Sequence, residues 1–232
     1  MSALSRSLIA LAAVCVVVAA AVAAWVLTPA GGEESSQTGG QAAIGGPFEL
    51  VDTQGETVTE QDFRGRYMLV YFGFTYCPDV CPSSLMDMSR ALDRLAENAP
   101  EKAQAVAPVF ITVDPERDDP AAMAAYVDNF HPRLIGLTGS PEQVNAAADA
   151  FRVYYEKVSP QEYFGSEAAA EGTEADYLMA HSSYMLLMGP EGGYITNFKY
   201  AATATEIAEG LAEHVQQHVG RSEEHTSELQ SR

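Results

Sequence analysis

Two cysteines separated by three residues are the clearest chemical feature of the sequence. They are Cys77 and Cys81 in the segment TYCPDVCPSS. Pro82 disfavours helical geometry at the residue before it and suits the first position of a helix, so Cys81 is predicted to be a helix N-cap. A thiol there faces the positive end of the helix dipole, which favours the thiolate, the form that binds metals and attacks disulfides. The spacing therefore predicts a metal site, a redox pair or both.

His181 is the third residue of this candidate site. Two thiolates and one imidazole form a soft three-ligand set that suits Cu(I) better than Mg²⁺ or Ca²⁺. Other interpretations stay open at this point. Cys77 and Cys81 could form a structural disulfide, His181 could be a structural histidine, and zinc could bind with Asp79 or Asp114 as a fourth ligand.

The segments that must position these residues alternate between strand and helix patterns, after a short hairpin around Gly55. The predicted strands are 48–51, 68–74, 109–113, 134–137, 153–158, 183–188 and 194–198, and the predicted helices are 82–98, one from 120, 141–151 and 205–219. This order predicts an α/β domain of thioredoxin-like fold, with a central mixed sheet flanked by helices.

The predicted sheet brings the candidate site together at one edge. In open α/β sheets, chemistry lies outside the carboxyl ends of the parallel strands, and the turns that contain Cys77 and Asp114 both lie there. An antiparallel strand starts at the edge where the parallel strands stop. His181, just before the predicted strand 183–188, is therefore expected at the same edge.

Three separated motifs resemble those of a known family. FGFTYCPDVCPSSL, TVDPERDDP and YLMAHSSYMLLMGPEG, in this order, are similar to the Sco/SenC family of copper-binding assembly proteins, over about residues 46–219. The resemblance implies a thioredoxin-like fold and a copper site at Cys77, Cys81 and His181, for Cu(I), with Cu(II) left open. It also implies a role in building the dinuclear copper centre of cytochrome c oxidase subunit II, or in supplying another copper protein.

Two activities fit this resemblance. The first is a copper metallochaperone, which carries the ion without turnover. The second is a thiol:disulfide reductase, in which Cys77 and Cys81 form a redox pair that keeps the cysteines of the oxidase copper site reduced. The Cys-x-x-x-Cys spacing differs from the Cys-x-x-Cys of a general thioredoxin.

One position departs from the family pattern. Ala180 precedes His181, where family members commonly carry an acidic residue. Residues outside the ligand set orient and tune ligands without replacing them. We therefore expect a hydrogen-bond partner of His181 to be missing and the ligand set to be retained.

Two further groups of residues could in principle bind a metal. Asp114, Asp118 and Asp119 are more simply a turn and a helix start. His214 and His218 share one helix face, which is predicted to be solvated. We assign no metal to either group.

The N-terminal segment predicts attachment to a membrane. Residues 8–27 contain no charge and are long enough to span a bilayer as a helix, Arg6 precedes them and two glutamates follow. We interpret 1–27 as a membrane anchor, with a cleaved signal peptide as the alternative, and 28–46 as a flexible linker. The expected location is the bacterial inner membrane, single-pass, with the domain facing the periplasm.

Composition limits the number of domains and the partners of the chain. The 232 residues, 47% of them hydrophobic, suffice for one well-buried domain, assigned to 47–220. The net charge of −19 would repel the phosphate backbone of a nucleic acid, so nucleic acid is excluded as a partner. The last segment, 221–232, looks like the in-frame translation of a sequencing adapter, and we exclude it from the domain.

Overall fold

The computed structural model describes residues 44–165 and 177–216. The predicted anchor, 1–27, and the C-terminal segment 221–232 lie outside these residues, as does nearly all of the predicted linker. Within the described ranges, no helix is both long enough and apolar enough to span a bilayer.

The strands and helices follow one another as the sequence predicts, with some additions. The strands are β1 (Glu49–Asp52), β2 (Thr57–Thr59), β3 (Tyr67–Gly73), β4 (Val106–Thr112), β5 (Ile135–Thr138), β6 (Tyr155–Val158), β7 (Leu178–His181), β8 (Met185–Met188) and β9 (Tyr194–Phe198). The helices are α1 (Val80–Asn98), α2 (Pro100–Ala105), α3 (Pro120–Val127), α4 (Pro141–Phe151), α5 (Pro160–Phe164) and α6 (Ala204–His214), and a 3₁₀ turn spans Glu60–Phe63.

Seven strands form the central sheet, in the order β2-β1-β5-β4-β3-β8-β9. β3, β4 and β5 are parallel, whereas β8 pairs antiparallel with β3. Every residue of β3 and β4 is buried, as expected for central parallel strands covered on both faces. The predicted thioredoxin-like fold, with a mixed sheet flanked by helices, is therefore confirmed.

Helix α1 is fixed to the sheet by its apolar face. Leu85, Met88, Leu92 and Leu95 recur at helical spacing and are all buried. Because this face is anchored in the core, the first turn of α1 holds a defined position at the carboxyl end of β3.

Helix α1 begins two residues earlier than the sequence predicts. It starts at Val80, and Asp79 is its N-cap residue. Pro82 is tolerated because the first four N–H groups of a helix have no partner within the helix. Cys81 is therefore not the N-cap and lies inside the first helical turn.

The remaining difference affects His181. The residues just before the predicted strand 183–188 form a separate short strand, β7, which pairs with β6 in a two-stranded sheet. His181 is the last residue of β7 and lies opposite Tyr155. Its backbone is thus held by strand pairing, and the next strand begins only at Met185.

Candidate metal centre

One cysteine lies in the connection between β3 and α1, and the other lies in the first turn of α1. Cys77 is in the turn that follows Phe74, and its amide donates to the Phe74 carbonyl at 3.3 Å. The amide of Cys81, in the first turn of α1, donates to the Cys77 sulfur at 3.3 Å. Both thiols are free, and they are 5% and 0% exposed respectively. The structure therefore places a buried pair of sulfurs at the start of the helix.

Gly73 makes room for the Cys81 sulfur. A Cβ atom at this position would lie 2.9 Å from Cys81 Sγ and 2.9 Å from Phe110 Cε2. Distances this short require one of the neighbours to move. The last residue of β3 therefore has to lack a side chain if the sulfur is to keep its position.

His181 reaches the cysteines from the end of β7. Its Nε2 lies 3.5 Å from Cys81 Sγ, and its ring packs edge-on against Phe74, with centroids 5.9 Å apart. Its Nδ1 lies 3.0 Å from the Ser182 carbonyl oxygen, which can only accept. Nδ1 therefore carries the proton in the neutral ring, and the lone pair of Nε2 faces the sulfur.

This hydrogen bond corrects the expectation about Ala180. We expected the histidine to lack an orienting partner because no acidic side chain precedes it. The backbone of Ser182 supplies that partner instead. A carbonyl acceptor at Nδ1 fixes the tautomer and ring orientation in the way that is usual for metal-binding histidines.

The charge of the pair resides on Cys77. The hydrogen bond from the Cys81 thiol, aided by the backbone amides of Asp79 and Cys81, lowers the pKa of Cys77 to about 4. Burial, with the hydrogen bond to Cys77 and its negative charge, raises the pKa of Cys81. The prediction of a thiolate at Cys81 is therefore wrong, because the first-turn amide acts on the sulfur of Cys77.

Asp118 ties the cysteine turn to the neighbouring strand. Its carboxylate accepts from the Thr75 amide at 3.0 Å and from the Thr75 hydroxyl at 2.5 Å. It also accepts from the Thr112 hydroxyl, at the end of β4, at 2.6 Å. The side chain is fully buried, so these bonds satisfy a carboxylate that would otherwise be costly. From the sequence, Asp118 is interpreted only as part of a turn and a helix start.

Asp114 and Arg117 connect the same motif to the strand that carries His181. Arg117 Nε donates to Asp114 at 2.5 Å, and the hydroxyl of Tyr177 donates to Asp114 at 2.9 Å. The guanidinium also donates to the Tyr177 carbonyl and lies 3.7 Å from the centroid of its ring. Tyr177 directly precedes β7, so the segment from Asp114 to Asp118 braces both halves of the site.

The other candidate ligands have roles outside the set of metal donors. Asp114 is occupied by Arg117, and Asp79 is exposed at the N-cap, so neither is placed as the fourth ligand that zinc would require. Asp119 caps α3, as its predicted helix-start role requires, by accepting from Ala122 N. His214 ends α6, and His218 lies outside the described residues.

The donor set fits a soft, copper-like ion. It has two sulfurs and one imidazole, the ligand types that select Cu(I). A sulfur and a nitrogen that share a first-row metal, at about 2.3 Å and about 2.0 Å from it, lie roughly 3–4 Å apart, which matches Cys81 and His181. In the part of the chain that the structure describes, no three His, Cys, Asp or Glu side chains form a ready metal cage. For all three to share one ion, the Cys77 sulfur, held by the Cys81 amide, would have to turn toward the other two side chains.

Comparison with known proteins places similar sequences in one family. The family model SCO1/SenC matches residues 36–216. The mitochondrial SCO1 homolog 1 of Arabidopsis thaliana is 41% identical over 179 residues, covering 77% of this chain and 49% of that protein. The mitochondrial SCO2 homolog of Mus musculus is 43% identical over 176 residues, covering 75% and 64%. The chain thus spans about half to two-thirds of the length of these relatives.

Solved structures are similar over the same region. The crystal structure of Arabidopsis thaliana ScoI with copper bound has 42% sequence identity and a TM-score of 0.63, covering 74% of this chain and 97% of that chain. The structure of Bradyrhizobium japonicum ScoI with copper bound has 37% identity and a TM-score of 0.61, covering 74% and 99%.

The relatives contradict the predicted location. We expected a bacterial inner-membrane protein with its domain facing the periplasm, whereas the curated relatives above are named as mitochondrial proteins of a plant and a mouse. The charge pattern of the N-terminal segment predicts an orientation across a membrane but carries no information on which membrane it is. The bacterial, periplasm-facing location is therefore withdrawn.

Proposed function

The chain belongs to the SCO1/SenC family, and we propose that it is a copper metallochaperone that binds one copper ion through Cys77, Cys81 and His181. Copper is the cofactor, because related structures hold it. The observation that carries the ligand assignment is the 3.5 Å separation of Cys81 Sγ and His181 Nε2, beside the thiolate of Cys77.

The three donors differ in their readiness to bind. Cys77 already holds a thiolate, and His181 presents an unprotonated Nε2, because its Nδ1 proton is donated to Ser182. Cys81 is protonated, so binding releases its proton. Both sulfurs are largely removed from water, with Cys77 5% and Cys81 0% exposed, which limits oxidation and suits the transport of a soft ion.

The proposed recipient is the dinuclear copper centre of cytochrome c oxidase subunit II. This part of the proposal rests on the resemblance of the three motifs to the Sco/SenC family. His181 is the most accessible of the three donors, since it is half-buried while both sulfurs are buried. A recipient would therefore meet the imidazole first and displace it before the thiolates.

A thiol:disulfide reductase is the second candidate, and the asymmetry of the cysteine pair favours it. The Cys77 thiolate would attack one sulfur of a target disulfide, forming a mixed disulfide and releasing one target thiolate. Cys81, after losing its proton, would attack the Cys77 sulfur, forming the Cys77–Cys81 disulfide and releasing the second target thiol. The raised pKa of Cys81 slows this second step.

Oxidase assembly in cells separates the two activities. His181→Ala removes a copper donor but neither of the cysteines that disulfide exchange requires. We expect cells that carry only this variant to lose oxidase assembly, as cells with Cys77→Ser do. Normal assembly with His181→Ala, together with failure with Cys77→Ser, would instead assign the reductase activity.

A further inference from the structure

The hydroxyl group of Tyr71 is buried without a partner. Tyr71 lies in the middle of β3, is 0% exposed, and stacks on Phe110 with ring centroids 6.3 Å apart. Among the described residues, its hydroxyl is one of three buried side-chain N or O atoms that make no hydrogen bond. Native proteins seldom leave such groups unpaired, because the loss of hydration is not repaid.

The polar side chains that interact with this hydroxyl come from the first part of α1, and one of them is the candidate ligand Cys81. Cys81 and Ser84 of α1 are the side chains that face it, and its ring lies edge-on to His181 with centroids 6.2 Å apart. Burial keeps the phenol protonated, since its pKa is raised, so the group is available as a donor. A neutral thiol is a weak acceptor, whereas a metal-bound thiolate is a strong one.

We infer that Tyr71 is a positioning residue of the metal site, whose hydroxyl donates to the Cys81 sulfur when that sulfur binds the metal as a thiolate. The inference rests on the proposed function. The inference accounts for the polar hydroxyl in the core. The Tyr71 hydroxyl lacks a hydrogen bond only while Cys81 is a thiol, and metal binding gives the hydroxyl a partner.

Tyr126 provides a matched comparison within the same chain. Its hydroxyl is also buried without a hydrogen bond, and its ring packs against Phe110 and Phe130 at 5.5 and 5.1 Å between centroids. Apart from its burial, only the charges of the cysteines and of Asp118 act on this hydroxyl, and it has no hydrogen-bond interaction with either sulfur. Tyr126→Phe therefore removes an orphaned phenol close to the site without removing a contact to a ligand.

The test compares Tyr71→Phe with Tyr126→Phe in the full chain carrying Cys15→Ser, which leaves Cys77 and Cys81 as the only thiols. Cu(I) affinity is measured by competition with a chromophoric chelator, and the melting temperature of each variant is measured without metal. Both variants are expected to melt no lower than the parent. Tyr71→Phe is expected to bind Cu(I) about tenfold more weakly, the scale of outer-shell effects on metal sites, while Tyr126→Phe retains the parent affinity.

A spectroscopic readout separates a hydrogen bond from a packing effect. Without its hydrogen bond, the thiolate holds its electrons less tightly, so the sulfur-to-Cu(II) charge-transfer band should move to lower energy in Tyr71→Phe and stay in place in Tyr126→Phe. Equal Cu(I) affinities and equal band positions in Tyr71→Phe and Tyr126→Phe would overturn the inference. A loss of Cu(I) affinity in Ser84→Ala as large as that in Tyr71→Phe would also overturn it, because the partner of the Tyr71 hydroxyl would then be Ser84. If the parent itself fails to bind copper, the proposed function fails first.

Discussion

The sulfur of Cys81 and Nε2 of His181 lie 3.5 Å apart although 100 residues separate them in the sequence. One is held by the first turn of α1 and the other by the end of β7. The site therefore exists only when the central sheet and the small two-stranded sheet are both formed. An ion that binds both residues must stabilise the folded chain, because the unfolded chain cannot present them together.

The space beside Gly73 tests the position of the Cys81 sulfur. Gly73→Ala would place a methyl group 2.9 Å from that sulfur, so we expect a markedly weaker affinity for Cu(I). Gly193→Ala is the matched control, because a Cβ atom there meets nothing within 4 Å. Cu(I) titration of both variants checks the prediction. Parental affinity in Gly73→Ala would show that the sulfur does not need its present position.

Thr75 tests whether Asp118 holds the cysteine turn in place. Thr75→Val removes a hydroxyl that donates to a buried carboxylate, and we expect the free energy of unfolding to fall by about 1–3 kcal/mol. Copper affinity should fall as well, since Thr75 is two residues before Cys77.

The control for this substitution is Thr203→Val, which removes the N-cap hydroxyl of α6. Its expected cost is about 1 kcal/mol, with no change in copper affinity. Equal affinities in Thr75→Val and Thr203→Val, measured alongside urea unfolding, would argue that Asp118 stabilises the fold without positioning the site.

The lowered pKa of Cys77 predicts a pH dependence of stability. The folded state favours the Cys77 thiolate, so ionisation of this thiol adds to the free energy of unfolding. The added stability is complete above the ordinary thiol pKa of 9.0, declines as the pH falls, and is absent below about 4. The free energy of unfolding of the parent minus that of Cys77→Ser should therefore increase between about pH 5 and 8. A difference that is flat across this range would refute a Cys77 thiolate.

Alkylation should distinguish the two thiols directly. In the Cys15→Ser chain, we expect iodoacetamide to modify Cys77 near pH 5, where Cys81 is still protonated. Peptide mass mapping identifies the modified residue. Preferential modification of Cys81 would reverse the assignment of nucleophile and resolving thiol.

His181 should matter more for copper than for thiol chemistry. His181→Ala removes one of three donors, so Cu(I) affinity is expected to fall strongly. The pKa of Cys77 is lowered first by the hydrogen bond from the Cys81 thiol, which this substitution leaves in place, so the rate of exchange with a small disulfide should change modestly. His214→Ala, at the end of α6, is the control and should change neither property.

The sequence predicts the sheet and the meeting of the three candidate residues, because long apolar runs such as β3 mark buried strands wherever they occur. It does not predict β7, a four-residue strand that pairs with β6 alone among the residues that the structure describes. Nor does it reveal which cysteine is charged, since that depends on the Cys81 amide and thiol both reaching the Cys77 sulfur. The same holds for Asp118, whose partners Thr75 and Thr112 come from two different strand ends.

Anaerobic Cu(I) titration of the Cys15→Ser chain and of its Cys77→Ser and Cys81→Ser variants tests the central claim most directly. Each of these serines removes one soft donor of three. We predict one tightly bound copper per parent chain, and loss of tight binding in both variants. Tight binding of one copper that persists in both Cys77→Ser and Cys81→Ser would contradict the proposed site.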